Sequence, residues 1–517
     1  MQKKRVVIIG AGPAGITAGL ELLRKSGDYE VLILEETDAV GGISRTVNCR
    51  GNHMDMGGHR FFSKDKRVTD WWESILPMQG MPAYDDKRLH RDCYVQTGGT
   101  DPEREERVML WRRRISRILY NNCFFDYPVK LNMRTIQNMG FAATCAVGLS
   151  YIKAVLCRRP ETSLENFYVN RFGKKLYTMF FEDYTEKVWG RHPKNISADW
   201  GAQRVKGLSV SAVLKDIFRR QVSGKTDGPV ETSLIEAFYY PKYGPGQMWE
   251  TAAALFEQQG GIIRKNSRVV GFGTQGQRVS EVAYLSMKGH RETVRADYVI
   301  SSMALKDLLR GIKEVPQDVR RIGEGLCYRD FVTVGLLVKK IRLVNTTKIR
   351  TFHNRIPDCW IYVQDREVKL GRIQLFNNWS PYMVADVEGT VWMGLEYFCS
   401  EGDADWRRPE EDWMRFGVSE LVKIGVLDAG EPVLDWHCEK VKKAYPAYFG
   451  TYAEIDRLTA YLDTFENLYC VGRNGQHRYN NMDHSMMTAF EAVDNILGGR
   501  KDKGNVWGVN TEKVYAE

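Results

Sequence analysis

The feature that most constrains this chain is its opening segment, KRVVIIGAGPAGITAGLELLRKSGDYEVLILEE, Lys4 to Glu36. It runs strand, glycine turn, helix and strand. Val6 to Ile9 is a short β-branched run stopped by Gly10; Ile16, Leu20 and Leu23 recur at helical spacing; Gly27 ends the helix; Val31 to Leu34 resumes the sheet. Gly10, Gly12 and Gly15 match G-x-G-x-x-G between a strand and a helix. In that context the glycines give a tight turn, room for a pyrophosphate, and close helix–strand packing. The helix N-terminus offers free backbone N–H groups to phosphates, and Glu35 at the end of the second strand is placed to accept from a ribose. The predicted fold class is therefore α/β, built on a Rossmann-like dinucleotide-binding domain. NAD and FAD both satisfy these features.

The next residues lean to flavin. GGISRT places Gly41 and Gly42 in a second turn followed by Arg45, a pattern that resembles flavoproteins of the amine-oxidase type. Asn266 to Gly273, which contains Val269, and Ala296 to Ala304 are expected as later strands of the same sheet, with a hairpin between them. The FAD-binding domain is then discontinuous, formed by residues 1–88, 231–326 and 450–517. Two insertions separate its parts: a mainly helical one at 89–230 and a strand-rich substrate domain at 327–449. TGGTDPEREERV in the first insertion reads as an exposed loop.

Composition narrows the function. The 517 residues carry 74 Lys and Arg against 65 Asp and Glu, a net +9, which suits an anionic small molecule or acidic lipid better than nucleic acid. Ten cysteines without paired spacing indicate neither a zinc site nor a disulfide framework, so no metal is expected and reduced thiols in a cytoplasm fit best. The apolar run near the start stops at Gly10 after four residues, unlike a signal peptide. Gly140 to Cys157 is nearly apolar, followed by Arg158 and Arg159. At that length it reads as a buried or membrane-surface helix rather than a span, so peripheral membrane contact is the expectation.

The remaining motifs are DMGGHRFFSK (Asp55 to Lys64), MFFEDYTEKVWG (Met179 to Gly190), SADWGAQRV (Ser197 to Val205), YPKYGPGQMWE (Tyr240 to Glu250), GRIQLFNNWSPY (Gly371 to Tyr382), AYP (Ala444 to Pro446) and GRNGQHRYNNMDHSM (Gly472 to Met486). In this order, over nearly the whole chain, they resemble UDP-galactopyranose mutases, in particular the larger eukaryotic-type members, within the wider FAD-dependent amine-oxidase-like superfamily. GGHRFF and YTEKVWG also occur in other flavin oxidoreductase-like proteins, so an oxidoreductase of the amine-oxidase, protoporphyrinogen-oxidase or desaturase type is the alternative.

The resemblance implies interconversion of the pyranose and furanose rings of a nucleotide sugar, with reduced flavin N5 as nucleophile at the anomeric carbon and no net redox change. FAD is the implied cofactor, reduced in its active form, with an external reductant such as NAD(P)H. Arg372 and Arg473 match the family's diphosphate arginines, fixed guanidinium groups suited to a departing pyrophosphate. Phe180, Phe181, Tyr184 and Trp189 match its uridine pocket, although the same spacing serves the core face of a helix. Tyr445, Tyr479 and Asn481 match positions on the diphosphate and sugar side, Arg204 a loop arginine near the nucleotide, and His59 the histidine beside the flavin. Gly42, Arg45, Val269, Gly472, Met482 and Asp483 join the glycine turn as cofactor contacts. An additional arginine of the bacterial members has no counterpart in register; only Arg329 is at hand. In the last motif a helix is expected from Met486, capped by Asp483 or Ser485 and ended by Gly498 and Gly499, with its macrodipole favouring an anionic reduced flavin.

Overall fold

A computed structural model of the chain describes residues 3–127, 129, 133–198 and 237–509. The opening segment forms strand Lys4–Ile9, helix Pro13–Lys25 and strand Tyr29–Leu34. These strands belong to a five-stranded sheet in the order Leu468–Cys470, Tyr298–Ser301, Lys4–Ile9, Tyr29–Leu34, Ile262–Arg264, every pair parallel. Both faces are covered, which is why the first strand is apolar without alternation. Val6 and Ile8 enter the core beneath helices Pro13–Lys25, Pro245–Gln258 and Met482–Gly498. Val7 and Ile9 enter the core on the other side. The sheet thus draws on the start, middle and end of the chain.

The strand expected at Asn266 to Gly273 does not join it. Arg268–Gln275 pairs antiparallel with Arg278–Leu285, and that strand with Arg291–Arg295, in a separate three-stranded meander. Gln275 faces Arg278 across a two-residue turn with Gly276 at φ +57°. So tight a hairpin fixes the strand to its sequence neighbour. Val269 accordingly packs in the core beside Tyr284 rather than at a cofactor.

A second large sheet has seven strands in the order Val433–Gly450, Leu326–Val338, Val391–Cys399, Arg372–Leu375, Trp360–Val363, Ser116–Tyr120, Cys123–Asp126. Its last two strands come from the first insertion, which opens with strands before turning helical; Met109–Arg113 is another, paired with Ala237–Pro241. The two insertions therefore share one sheet. Strand alternation sorts its residues: Ile361, Val363, Ile373, Leu375 and Leu395 enter one core, while Trp360, Tyr362, Arg372 and Glu396 lie on the opposite face.

Helix Phe141–Leu156 forms where the apolar stretch predicts it, but only Val147 and Ala154 of it are buried. The buried-helix alternative is thereby overturned. No single helix among the described residues is long and apolar enough to cross a membrane.

Candidate active site

The glycine turn forms a cleft at the C-terminal edge of the parallel sheet. Gly10 has φ +96°, and a Cβ there would fall 2.3 Å from Ser302 Oγ; one on Gly15 would fall 1.9 Å from the Gly10 carbonyl oxygen. The helix packs directly on the turn, which no larger residue permits. Glu35 lines the cleft, and its carboxylate accepts from Ala11 N at 2.7 Å, Thr37 N at 2.9 Å and Thr37 Oγ1 at 2.8 Å. It therefore also braces the turn whose ligand it was expected to hold. Gly12, Gly42, Gly472 and Met482 line the same cleft. Arg45 does not: its Nη2 pairs with Glu439 at 3.1 Å. Asp483 is buried in the first turn of Met482–Gly498, 3.6 Å from His484 Nδ1, and does not line the cleft either.

That helix starts earlier than expected, and its N-cap is Asn481 rather than Asp483 or Ser485. The Asn481 side chain accepts from the His484 backbone, while Asn481 N donates to His484 Nδ1 at 3.1 Å. The reciprocal pair is a capping box with histidine in the usual glutamate position. The polar run before it thus becomes a loop folded over the cleft. Gly499, at φ +65°, closes the helix as foreseen.

A second chamber adjoins the cleft, and Ile43, His59, Arg473, Asn481 and Met482 line both. Arg372 sits in register opposite Tyr362 and Glu396. Its Nε donates to Tyr184 Oη at 2.6 Å, and its Nη1 to Glu396 Oε2 and Tyr445 Oη, each at 3.1 Å. Trp360 and Phe398 flank the guanidinium, each 5.0 Å away. Burial works against its charge, but the tyrosine oxygens and Glu396 outweigh this and hold its pKa above the ordinary value. Burial raises both phenols, Tyr445 to about 12. Each phenol oxygen accepts from Arg372 and keeps its own O–H to donate.

Arg473 stands across the chamber. Its Nε and Nη2 donate to the Asn480 carbonyl at 3.1 and 2.8 Å, and its Nη1 to Ala444 O at 2.8 Å. It lies 4.9 Å from the Tyr479 ring, which stacks on Tyr445 at 5.8 Å and 11°. His59 Nδ1 is 2.8 Å from the Gly57 carbonyl. Burial and the nearby Arg473 charge lower its pKa to about 4. The ring is neutral near pH 7, and because a carbonyl only accepts, Nδ1 carries the proton and Nε2 the lone pair.

Several expected contacts fall elsewhere. Phe180 packs edge-on against Phe125 at 5.0 Å, and Phe181 stacks on Phe172 at 4.8 Å and 12°. Both pack into the core, Phe180 against a strand and Phe181 against a helix, because the π-helical turn Thr178–Glu182 directs these rings inward while Tyr184, on the next helix, faces the chamber. Trp189 is buried behind Tyr445, edge-on at 6.5 Å. Arg329 is spent on the Val188 carbonyl and Ser400 Oγ. Arg204 lies outside the described residues.

Other lining residues were not foreseen. Trp360 and Tyr362, two apart on one strand, present parallel rings 5.9 Å apart to the chamber; the alternation of CWIYV carries that signal. Glu396 counters Arg372 from a neighbouring strand, which no local pattern reveals. Arg60, next to His59, also lines the chamber, 6.0 Å from the Trp360 ring, and its Nη1 is buried without a hydrogen-bond partner.

This fold and cleft define a dinucleotide-binding protein. The chain belongs to the family of flavin containing amine oxidoreductases, whose model matches residues 13–339. Within it, the chain is similar to the Klebsiella pneumoniae protein named "Probable UDP-galactopyranose mutase", 26% identical over 209 residues, 38% of this chain and 44% of that protein. It is also similar to the zeta-carotene desaturase of Solanum lycopersicum, 46% identical over 61 residues, 12% and 10% of the two chains. The matched stretches thus take in less than half of these relatives. Among solved structures, reduced UDP-galactopyranose mutase superposes with a TM-score of 0.75 at 20% identity, over 99% of this chain and 100% of the other. Putrescine oxidase bound to putrescine gives 0.56 at 14% identity, over 96% and 99%. At these identities the superpositions establish the fold.

The family implies FAD, and the cleft fits it. Asn474 Oδ1 and Asn480 Nδ2 are buried in its wall without hydrogen-bond partners among the described residues. The hydrogen-bonding capacity left open there suits a polar cofactor.

Proposed function

We propose that the protein is a flavin-dependent mutase that interconverts the pyranose and furanose forms of a nucleotide sugar, with UDP-galactose the first substrate to test. One observation carries this reading: the chamber beside the cofactor cleft gathers Arg60, Arg372 and Arg473 from three distant parts of the chain, and no carboxylate among the described residues lines it. Glu396 neutralises one of these charges. The surplus matches a pyrophosphate, and an uncompensated guanidinium cluster is a poor wall for a neutral hydrocarbon.

Reduced FAD, when bound, supplies the nucleophilic N5 for the anomeric carbon. The chain's residues do the rest. The guanidinium groups stabilise the charge that develops on the departing diphosphate. Tyr184 and Tyr445, fixed by Arg372, donate their phenolic hydrogens. Neutral His59 offers Nε2 as an acceptor at the junction of the two chambers, and Tyr479 with Tyr445 forms a flat wall for a ring. An external reductant such as NAD(P)H would keep the cofactor reduced.

Trp360, Tyr362, Phe331 and Phe238 add aromatic surface to the lining, which favours a second reading, an oxidoreductase of the amine-oxidase or desaturase kind. Anaerobic incubation of dithionite-reduced, FAD-loaded protein with UDP-galactofuranose separates the two. UDP-galactopyranose should form without reoxidation of the flavin. Fully reduced protein that gives no conversion and fails to bind UDP would end the mutase reading.

A further inference from the structure

Helix Phe141–Leu156 has a face that the active site does not use. Val147 and Ala154 are buried, Ser150 Oγ accepts from Lys175 N at 3.0 Å, and a Cβ on Gly173 would lie 2.8 Å from Tyr151 N. That side packs closely on helix Leu164–Tyr177. The other side turns outward: Phe141 is 82% exposed, Leu149 69%, Ile152 55% and Leu156 78%. At the bend before it, Met133 is 69% exposed, and the preceding helix Met133–Met139 meets this one at 108°. Soluble proteins rarely leave such a continuous apolar stripe in water.

Within the segment that carries the stripe the formal charge is of one sign. From Tyr127 to Pro160 the chain has Lys130, Arg134, Lys153, Arg158 and Arg159 and no Asp or Glu. The carboxylates that follow it are already engaged, Glu161 by Arg171 and Glu165 by Lys174. Arg158 adds its charge to that of Arg171 in holding the Glu161 pKa down, and neither Lys153 nor Arg158 forms a close ion pair with a carboxylate among the described residues. A second copy docked symmetrically on this face would set cation against cation. A bilayer with acidic headgroups instead accepts the apolar side chains at its surface and pairs with the bases beside them.

We propose that this helix is a peripheral membrane-docking element, lying in the plane of an anionic lipid surface with Phe141, Leu149, Ile152 and Leu156 inserted and Lys153 and Arg158 at the phosphates. The proposal is independent of the reaction in the chamber.

Co-sedimentation of the full, FAD-loaded chain with phosphatidylcholine vesicles, with and without phosphatidylglycerol, tests it. The protein should partition onto the phosphatidylglycerol vesicles and be released as salt is raised. Leu149→Glu/Ile152→Glu should lower the partition roughly tenfold or more while flavin content stays unchanged. Lys153→Gln/Arg158→Gln should weaken binding to the acidic vesicles alone. Phe141→Glu, at the far end of the helix, checks the same face without touching its packed side. Wild-type protein that stays in the supernatant with both vesicle types would overturn the proposal. So would equal binding by Leu149→Glu/Ile152→Glu, or a solution dimer that this double substitution dissociates.

Discussion

Arg372 Nη1 stands 3.1 Å from Glu396 Oε2, the two residues facing each other on neighbouring strands, with Glu396 wholly shielded from water. Gln374 holds the other carboxylate oxygen at 2.9 Å. Removing the arginine alone leaves a buried anion without its counter-charge. Arg372→Ala should therefore destabilise the protein by about 3–5 kcal/mol. Glu396→Gln added to the same chain should recover much of that loss in thermal melts. The double variant should still bind UDP poorly, because its guanidinium is gone. A single variant that melts like the wild type would show that the pair carries little weight.

Arg60 should behave differently. Its side chain has no hydrogen bond to lose among the described residues, so Arg60→Ala should change stability by no more than ~0.5 kcal/mol. Yet a charge-assisted contact to phosphate contributes about 1.5–3 kcal/mol, so UDP affinity should fall by roughly tenfold or more. Uridine, which lacks the diphosphate, should bind as before. Isothermal titration with both ligands reads the difference.

Arg473 cross-links the Ala444 and Asn480 carbonyls and borders both chambers. Arg473→Ala should therefore raise the dissociation constants of FAD and UDP together. Tyr184→Phe removes a single hydroxyl beside Arg372 and should weaken UDP alone. Flavin fluorescence during apoprotein reconstitution, set beside UDP titration, distinguishes the two patterns.

Two glycine substitutions separate folding from cofactor binding. A Cβ on Gly15 collides with the Gly10 carbonyl, so Gly15→Ala should express as unstable protein. Gly12 has an ordinary φ of −80°, and its Cβ would meet Gly42 Cα only at 3.8 Å. Gly12→Ala should fold, with a methyl group intruding where the pyrophosphate rests, and should purify with little flavin. The absorbance ratio of flavin to protein measures both outcomes.

His477 is buried, its Nε2 3.1 Å from the Ala447 carbonyl, and burial lowers its pKa from the ordinary 6.5 to about 4. Because the folded-state pKa is depressed, the unfolded chain takes up the proton first. The associated stability is complete above about pH 6.5 and is lost as pH falls toward 4, on the order of 3 kcal/mol in all. His477 has φ +46°, a conformation asparagine tolerates. In His477→Asn the drop in melting temperature between neutral pH and about pH 5 should be smaller than in the wild type.

The parallel sheet and its glycine turn were legible because strand, turn and helix are encoded within a few consecutive residues. Arg372, Tyr184, Tyr445 and His59, each singled out from its motif, line one chamber. What escaped was non-local. Glu396 earns its place only through cross-strand register, which places it beside Arg372. Phe180 and Phe181 share a motif with Tyr184, yet the π-helical turn sends them to the core, and a spacing argument that assumes regular helix misses that rotation. Val269 was misplaced because a two-residue hairpin outweighed its β-branched character in choosing a sheet.

The interleaving of the two large sheets bears on how the protein is made. One sheet pairs Tyr298–Ser301 with Leu468–Cys470, and the other brings Ser116–Tyr120 beside Trp360–Val363. Neither can be completed from a nascent chain until most of it has left the ribosome. During synthesis the early strands wait with open edges, the situation in which chains aggregate or recruit chaperones. Fragments cut at the expected domain boundaries would keep those edges exposed.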